Sequence, residues 1–178
     1  MPEEIEVPTE HLHEAMQEAA EHGGGGFNLR VALSSAVLAV MAAICALMAG
    51  HHANEALIDR IQASDQWNFY QAKGIKASVL GSKLDTLKAL NKKTDPKEAE
   101  KIEEYKKEQA EIKEKAEEKE HGSEAHLGHH VTLAKAVTLF QVAIALSAMA
   151  VLTRRRELWW ISLCLGGVGA WFFVTGIL

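Results

Sequence analysis

The amino-acid sequence predicts an all-α integral membrane protein with three transmembrane helices and one long extramembrane α-helical hairpin of coiled-coil type. Apolar residues are gathered into the blocks 29–50, 131–152 and 158–178, although the mean hydropathy of the whole chain is only −0.07. Each block reaches the roughly 20 residues that a helix needs to cross a bilayer. Between the first two blocks, residues 51–130 are mostly polar and contain a single proline, Pro96.

The three apolar blocks are almost free of charge. Lys135 is the single charged residue of 131–152, and residues 31–50 and 158–178 contain none. Backbone N–H and C=O groups in lipid must be paired within their own segment, so each block is predicted to be a helix. The first block is not expected to be a cleaved signal peptide, which starts with basic residues. The first 28 residues contain seven Glu and no Lys or Arg.

The orientation of the chain is predicted from a short basic turn at 153–157. Its arginines are Arg154, Arg155 and Arg156. Positive charge in short loops favours the cytoplasmic side, which places this turn and the N-terminus in the cytoplasm. The hairpin at 51–130 is then periplasmic or extracellular, since loops of this length cross membranes largely regardless of their charge. We therefore expect a multi-pass protein of the bacterial inner (plasma) membrane, in contact with its lipid.

Residues 1–28 are predicted to form an acidic arm with a glycine linker at 23–26. Thr9 is a candidate N-cap for a short helix in which Leu12 and Met16 share one face. Two interpretations stay open: the arm is either loosely ordered or a docking peptide.

The hairpin is predicted to consist of two helices, at about 53–92 and 96–120, and no residue between Gly50 and Asn54 prevents the first of them from continuing the first span. The first segment contains no proline, and the second begins with Asp95 as N-cap and Pro96 at the first helical position. Apolar or small residues of the first helix alternate by four and three, the spacing of a coiled coil. This hairpin seam consists of Ala63, Trp67, Tyr70, Gly74, Ala77, Gly81 and Leu84. Because the seam is thin, a single hairpin has little core, and we expect a homo-oligomer or a partner to complete it.

The predicted membrane helices carry further candidate contacts. Small residues recur every fourth position, which lets membrane helices approach closely, within one chain or between copies. These residues are Ala42, Ala46 and Gly50 in the first span and Ser162, Gly166 and Ala170 in the third. Gln141 lies near the centre of the second span, where a hydrogen bond to another helix is worth roughly 0.6–2 kcal/mol. A pore-lining role for Gln141 is the alternative.

Two histidine pairs flank the hairpin and should lie at the same membrane face. They are His51 with His52 and His129 with His130. Neutral imidazoles bind Zn²⁺ and similar ions, which makes the four histidines candidate ligands. Their spacing matches no established metal motif, and histidine is also at ease at a membrane interface, so no metal or cofactor is predicted. The polar residues between Asp65 and Lys73 are instead expected to contact another copy or a partner.

Several stretches resemble a known family. They are VPTEHLHE at Val7–Glu14, AGHHANEALIDRIQASDQWNFYQAKGIKA at Ala49–Ala77 and TLFQVAIALSAMAVLTRRRELWW at Thr138–Trp160. The chain resembles, over nearly its whole length, a bacterial family known only as domain of unknown function 4337. The resemblance implies a three-span membrane protein, and it implies no activity and no catalytic residue.

These observations lead to one main expectation about function. We expect a membrane-anchored homo-oligomeric scaffold or accessory subunit, with a second membrane protein as a further candidate partner. An enzyme is not expected, since the sequence offers no nucleophile–base pair and no phosphate-binding loop. No basic stripe suggests nucleic acid. One alternative is a small oligomeric channel or transporter lined by Gln141, Ser34 and Ser35, with the histidines at its mouth. The other is a metal- or proton-responsive envelope protein that depends on the histidines.

Overall fold

A computed structural model describes residues 26–178 as three helices, and the described residues contain no strand. The helices are α1 (Gly26–Ala89), α2 (Pro96–Thr153) and α3 (Arg156–Ile177). Each contains a stretch long and apolar enough to cross a membrane. The acidic arm predicted at 1–28 lies outside the described residues, except for its last three residues, which begin α1.

The described residues form two compact units. The three-helix unit comprises residues 26–52 and 128–178, and the hairpin unit comprises residues 53–127. The predicted helices at 29–50 and 53–92 form one continuous helix, as the residues between Gly50 and Asn54 allow, and it ends at Ala89 instead of near residue 92. The predicted helix end near residue 120 also differs from the structure, because α2 continues to Thr153. No proline interrupts 121–130, and its two glycines cost only about 1 kcal/mol each in a helix.

The ends of the helices follow local chemistry. The N-cap predicted at Asp95 is confirmed, since its Oδ1 accepts a hydrogen bond of 3.0 Å from the backbone N–H of Lys97. Beyond α1, Asn91 adopts a left-handed conformation with φ 54°, which asparagine tolerates better than most residues. The turn predicted at 153–157 is shorter in the structure: Arg154 and Arg155 connect the helices, and Arg156 already belongs to α3.

The three-helix unit has a core made by α1 and α2. Its buried residues are Leu38, Ala42, Cys45, Ala136, Phe140, Ala143 and Ile144. The buried residues of α3 are all small: Ser162, Gly166, Gly169 and Gly176. Large side chains of α1 and α2 therefore reach the backbone of α3, which supplies the space that they fill.

Three glycines of α3 mark these close contacts. A Cβ added at Gly166 would lie 2.6 Å from Leu38 Cδ2, and one at Gly176 would lie 2.9 Å from Leu133 Cδ2. At Gly169 the added atom would lie 3.1 Å from the ring of Phe140. That ring is itself fully buried and has little space into which it can move. A side chain at any of these positions would therefore force the buried neighbour to shift.

The hairpin unit has a much thinner core. Its buried residues are Ala56, Ala63, Leu84, Ala116 and Ser123. Four of these five side chains are small, so the two helices approach closely but bury little apolar area. The hairpin therefore gains less from hydrophobic burial than a Leu-rich coiled coil would.

We expect Gly169→Leu to destabilise the three-helix unit by about 1–3 kcal/mol, because the new side chain has no space beside Phe140. The control is Gly167→Leu, since an added Cβ there meets nothing within 4 Å. Thermal unfolding of the full chain in detergent measures both. Equal midpoints for the two variants would contradict the proposed packing of α3.

Candidate functional site

Histidines that the sequence offers as candidate metal ligands lie together at one end of the three-helix unit. The ring of His52 on α1 stacks on that of His129 on α2, with centroids 5.0 Å apart and planes inclined by 21°. His51 lies beside His52, at a centroid distance of 5.7 Å. His130 follows His129 on α2, and we call His52, His129 and His130 the histidine cluster.

Two members of the histidine cluster connect neighbouring helices. His129 Nδ1 lies 2.8 Å from the carbonyl oxygen of Gly176, and His130 Nδ1 lies 2.9 Å from that of Ala49. Since a carbonyl oxygen only accepts, each Nδ1 carries the proton and donates it. Adjacent residues of a helix point about 100° apart, so the two histidines reach α3 and α1 respectively.

His129 donates a hydrogen bond to a backbone carbonyl at the end of α3. Gly176 belongs to the last turn of α3, where backbone carbonyls have no partner within the helix. The imidazole N–H supplies that partner. Within residues 26–178, no group of three or more His, Cys, Asp or Glu side chains is arranged to hold a metal ion. The geometry therefore supports hydrogen bonding between helices as the chemistry of the cluster.

A buried serine pair connects α2 to α3 in the apolar part of the unit. Ser162 Oγ donates to the carbonyl oxygen of Ala143 at 2.7 Å, and the hydroxyls of Ser147 and Ser162 are 2.7 Å apart. Ser162 is one of the predicted contact residues, whereas Ser147 is not. Ser147 could have been predicted, because a serine hydroxyl in an apolar span needs a hydrogen-bond partner. A bond to a carbonyl of its own helix tends to bend that helix, so a group on a neighbouring helix is the better partner.

Ser34, Ser35 and Gln141, the residues predicted to line a channel, do not share one environment. Ser34 Oγ donates to the carbonyl of Val31 at 2.9 Å and accepts from Trp159 Nε1 at 3.1 Å, and Ser35 is fully buried. Both serines thus lie within the packing of one chain. Gln141 is half-buried, and its side chain makes no hydrogen bond to the part of the chain that the structure describes.

The predicted small-residue faces are only partly directed into the unit. Ala42, Ser162 and Gly166 are buried, Ala170 is half-buried, and Ala46 and Gly50 are exposed. A strict spacing of four rotates by 40° at each step, so the face turns away from its neighbour. The residues of α1 that are buried instead alternate by four and three: Val31, Ser35, Leu38, Ala42, Cys45 and Ala49. On α3 the same alternation includes Gly169 and Gly176, which sequence analysis missed.

The hairpin seam lies against α2 within the hairpin unit. Ala63 and Leu84 are buried, and its other members are half-buried: Trp67, Tyr70, Gly74, Ala77 and Gly81. Gln109 Nε2 donates to the carbonyl of Tyr70 at 3.0 Å, and a Cβ at Gly74 would lie 2.7 Å from the same nitrogen. Gly74 therefore makes room for Gln109, whereas Gly81 faces open space.

The polar residues between Asp65 and Lys73 divide between two sides of α1. Trp67 Nε1 donates to Glu120 Oε1 at 3.2 Å, and Lys73 forms an ion pair with Glu108. Asp65, Asn68 and Gln71 are exposed. Only the exposed group is free to face another molecule.

The ion pair of Lys73 has an electrostatic consequence. The hydrogen bond to Glu108 raises the pKa of Lys73 above its ordinary value of 10.5, and the ammonium also lies 5.0 Å from the centroid of the Tyr105 ring. Because the pKa of Lys73 is raised in the folded state, the ion pair stabilises the fold fully at pH values below the ordinary lysine pKa. The stabilisation is lost as the pH rises through the folded-state pKa.

The predicted topology anchor lies beside aromatic rings of the three-helix unit. The guanidinium of Arg156 lies 5.6 Å from the centroid of Phe27. Trp159 meets Phe27 edge-on at 5.8 Å and lies 5.1 Å from Trp160. Arginine beside tryptophan and phenylalanine is typical of a membrane–water interface.

We expect His129→Ala to loosen the end of α3, because the Gly176 carbonyl loses a hydrogen bond worth about 0.5–1.5 kcal/mol. Amide exchange in the last turn of α3 should become about two- to tenfold faster, as measured by hydrogen–deuterium exchange of the full chain in detergent. His51→Ala is the control, since its ring is exposed and contacts His52. Unchanged exchange in the His129 variant would contradict the link.

We expect Glu108→Gln to lower the unfolding midpoint at pH 8, where Lys73 is charged, and to have a smaller effect above its raised pKa. Added salt should reduce the difference, since both side chains are half-buried and the pair is still partly screened by ions in solution. Glu118→Gln is the control for loss of one exposed carboxylate. A midpoint difference that does not depend on pH would show that the ion pair is not its cause.

Comparison with known proteins places this chain in a family. No curated protein and no solved structure matches it. The sequence profile described as "Domain of unknown function (DUF4337)" matches residues 27–178, which includes all three helices except Gly26. That match covers most of the chain and agrees with the resemblance found in its motifs. The chain therefore belongs to the family of the domain of unknown function DUF4337.

Proposed function

We propose that this chain is a membrane-anchored homo-oligomeric scaffold or accessory subunit. In this proposal the three-helix unit crosses the bacterial inner membrane, and the hairpin unit lies outside the membrane and provides a contact surface. Membership of the family adds no activity to this proposal, since the family is described as one of unknown function. The proposal depends on which side chains each unit buries and which it exposes.

Membrane insertion is supported by the large side chains on the surface of the three-helix unit. Leu33, Val37, Val40, Leu47 and Trp171 are each at least 60 % exposed. The buried positions of α3 are Ser and Gly. An exposed apolar surface of this extent is costly in water and not in lipid, where close packing of small residues holds helices together.

The orientation that we propose follows from the charged and aromatic end of the three-helix unit. Arg154, Arg155 and Arg156 lie at this end with Trp159 and Phe27. The positive-inside rule favours the cytoplasm for such a short basic connection. The hairpin then lies in the periplasm or outside the cell.

One observation carries the scaffold proposal: the hairpin unit buries one large apolar side chain and exposes eight. Leu84 is the buried one. The exposed ones are Leu57, Ile58, Ile61, Phe69, Ile75, Val79, Leu90 and Leu127. Full burial of such a side chain is worth about 1.5–3 kcal/mol, so association with another molecule can supply the stabilisation that the thin core lacks.

The channel alternative is supported by Gln141. A half-buried amide without a hydrogen bond inside the described chain favours a partner in another copy or water in a pore. The two serines add no support, because they lie within the packing of α1. Flux through reconstituted vesicles that is lost in Gln141→Leu, with the oligomer intact, would favour a channel over a scaffold.

The scaffold proposal is tested by native mass spectrometry of the full chain, released gently from detergent or lipid nanodiscs. We expect a defined multiple of the 19.5 kDa chain mass that does not change when a chelator is added. A monomer without a partner at all concentrations would contradict the proposal. Loss of mass or of assembly on chelation would instead favour the metal-responsive alternative.

A further inference from the structure

The exposed side of α1 in the hairpin unit carries a second series of residues with coiled-coil spacing. We call it the outer stripe, and it consists of Ile58, Ile61, Asp65, Asn68, Ala72, Ile75 and Val79. Successive members are separated alternately by three and four residues, and all are exposed. None of them belongs to the hairpin seam, which already contacts α2.

The second helix of the hairpin has no comparable surface. Six of the eight exposed large apolar residues of the hairpin unit lie on α1 between Leu57 and Val79, and none lies between Pro96 and His126. The exposed residues of α2 in this unit are mainly Lys and Glu, which water solvates well. Within the hairpin, α1 is therefore the helix that another apolar surface would cover.

We propose that two copies of this chain pair through the outer stripe, with α1 of one copy parallel to α1 of the other. The proposal rests on the function proposed above, and it identifies where the copies meet. Copies inserted into one membrane point in the same direction, so identical helices run parallel. Each stripe residue then faces its counterpart, and the alternation by three and four is the spacing that interlocks side chains between two helices.

The composition of the stripe favours a second copy as its occupant. The stripe is self-complementary, because its isoleucines and valine meet identical residues across a parallel pair. Its apolar members span residues 58–79, about 32 Å of helix at 1.5 Å per residue. Asn68 can pair with its counterpart, and a polar residue of this kind fixes the register of a coiled coil.

The extent of the outer stripe favours a second copy over a different protein. A groove of about 630 Å³ near the end of the hairpin is lined by Ile75 and Val79, by Glu98, and by four lysines, of which Lys83 is ion-paired with Glu98: Lys76, Lys83, Lys97 and Lys101. An acidic helix of a different protein would suit this groove. The groove, however, includes only the last two members of the outer stripe, and leaves Ile58, Ile61 and Ala72 uncovered. A second copy covers the whole stripe and brings one pair of like charges, Asp65 against Asp65.

Chemical crosslinking of the full chain in its membrane tests the pairing. Ile61→Cys and Ile75→Cys should each form a dimer with a short bis-maleimide. Ala110→Cys, exposed on α2, is the control and should not. The chain with its two native cysteines, Cys45 and Cys164, sets the background. When differently tagged chains carrying one variant each are co-expressed, no mixed product should form, because residues 61 and 75 are about 21 Å apart along a helix.

Substitutions that change the strength of the pair provide the second test. Ile75→Glu should raise the dissociation constant for self-association at least tenfold, and Asp65→Asn should lower it about two- to fivefold. Leu90→Glu is the matched control, since Leu90 is 60 % exposed and Ile75 is 64 % exposed. Circular dichroism shows whether each variant keeps its helices, and analytical ultracentrifugation in detergent measures the association.

The possible outcomes separate this inference from the function on which it rests. Parallel pairing is supported if Ile61→Cys and Ile75→Cys each give a crosslinked dimer, Ala110→Cys gives none, and no product joins an Ile61→Cys chain to an Ile75→Cys chain. An intact oligomer without these crosslinks, and insensitive to Ile75→Glu, overturns the inference alone. A mixed crosslink overturns the parallel arrangement, and a crosslink to a different protein in place of the dimer assigns the stripe to a partner. A chain that is monomeric in every preparation overturns both proposals.

Discussion

Small residues at the helix contacts are the constraint on which the rest of this structure depends. They bring helices close enough for side chains of one helix to reach backbone carbonyls of the next. Five such hydrogen bonds recur within the two units: Ser123 to Ala56, His130 to Ala49, Gln109 to Tyr70, Ser162 to Ala143 and His129 to Gly176. A bulkier residue at these contacts would separate the helices and break the bonds. The close approach also explains why the fully buried residues of α3 are all Ser or Gly.

Close packing of small residues leaves the large apolar ones on the outside. In the three-helix unit this surface suits lipid, where packing and not water exclusion holds helices together. In the hairpin unit, close packing of small residues leaves a thin apolar core. Leu84 is the single large apolar residue that the described part of this unit buries. Exposed Ile and Val on α1 then provide a driving force for association, whereas the Lys- and Glu-rich surface of α2 provides none. The described residues thus expose an apolar surface on the three-helix unit, a charged surface on α2 of the hairpin and a partly apolar surface on α1 of the hairpin.

The histidines and the polar residues of α1 show how neighbours decide the role of a side chain. His129 and His130 are adjacent in sequence, but they point to different helices and donate to different carbonyls. Their Nδ1–H groups therefore form hydrogen bonds that connect α2 to α3 and to α1. Similarly, Trp67 and Lys73 contact α2, while Asp65 and Asn68 stay exposed. One run of sequence thereby serves both the fold of one chain and a surface available to another.

The sequence by itself determined the three long apolar helices, the N-cap at Asp95 and the family, because composition and local capping depend on neighbours along the chain. Only the tertiary structure decided that α2 continues through 121–130, since glycine and histidine there are compatible with either a turn or a helix. It also decided which small residues are buried. Gly169 contacts Phe140 while Gly50 faces open space, and both lie in similar apolar sequence. That difference depends on the rotation of each helix relative to its neighbours, which no local pattern encodes.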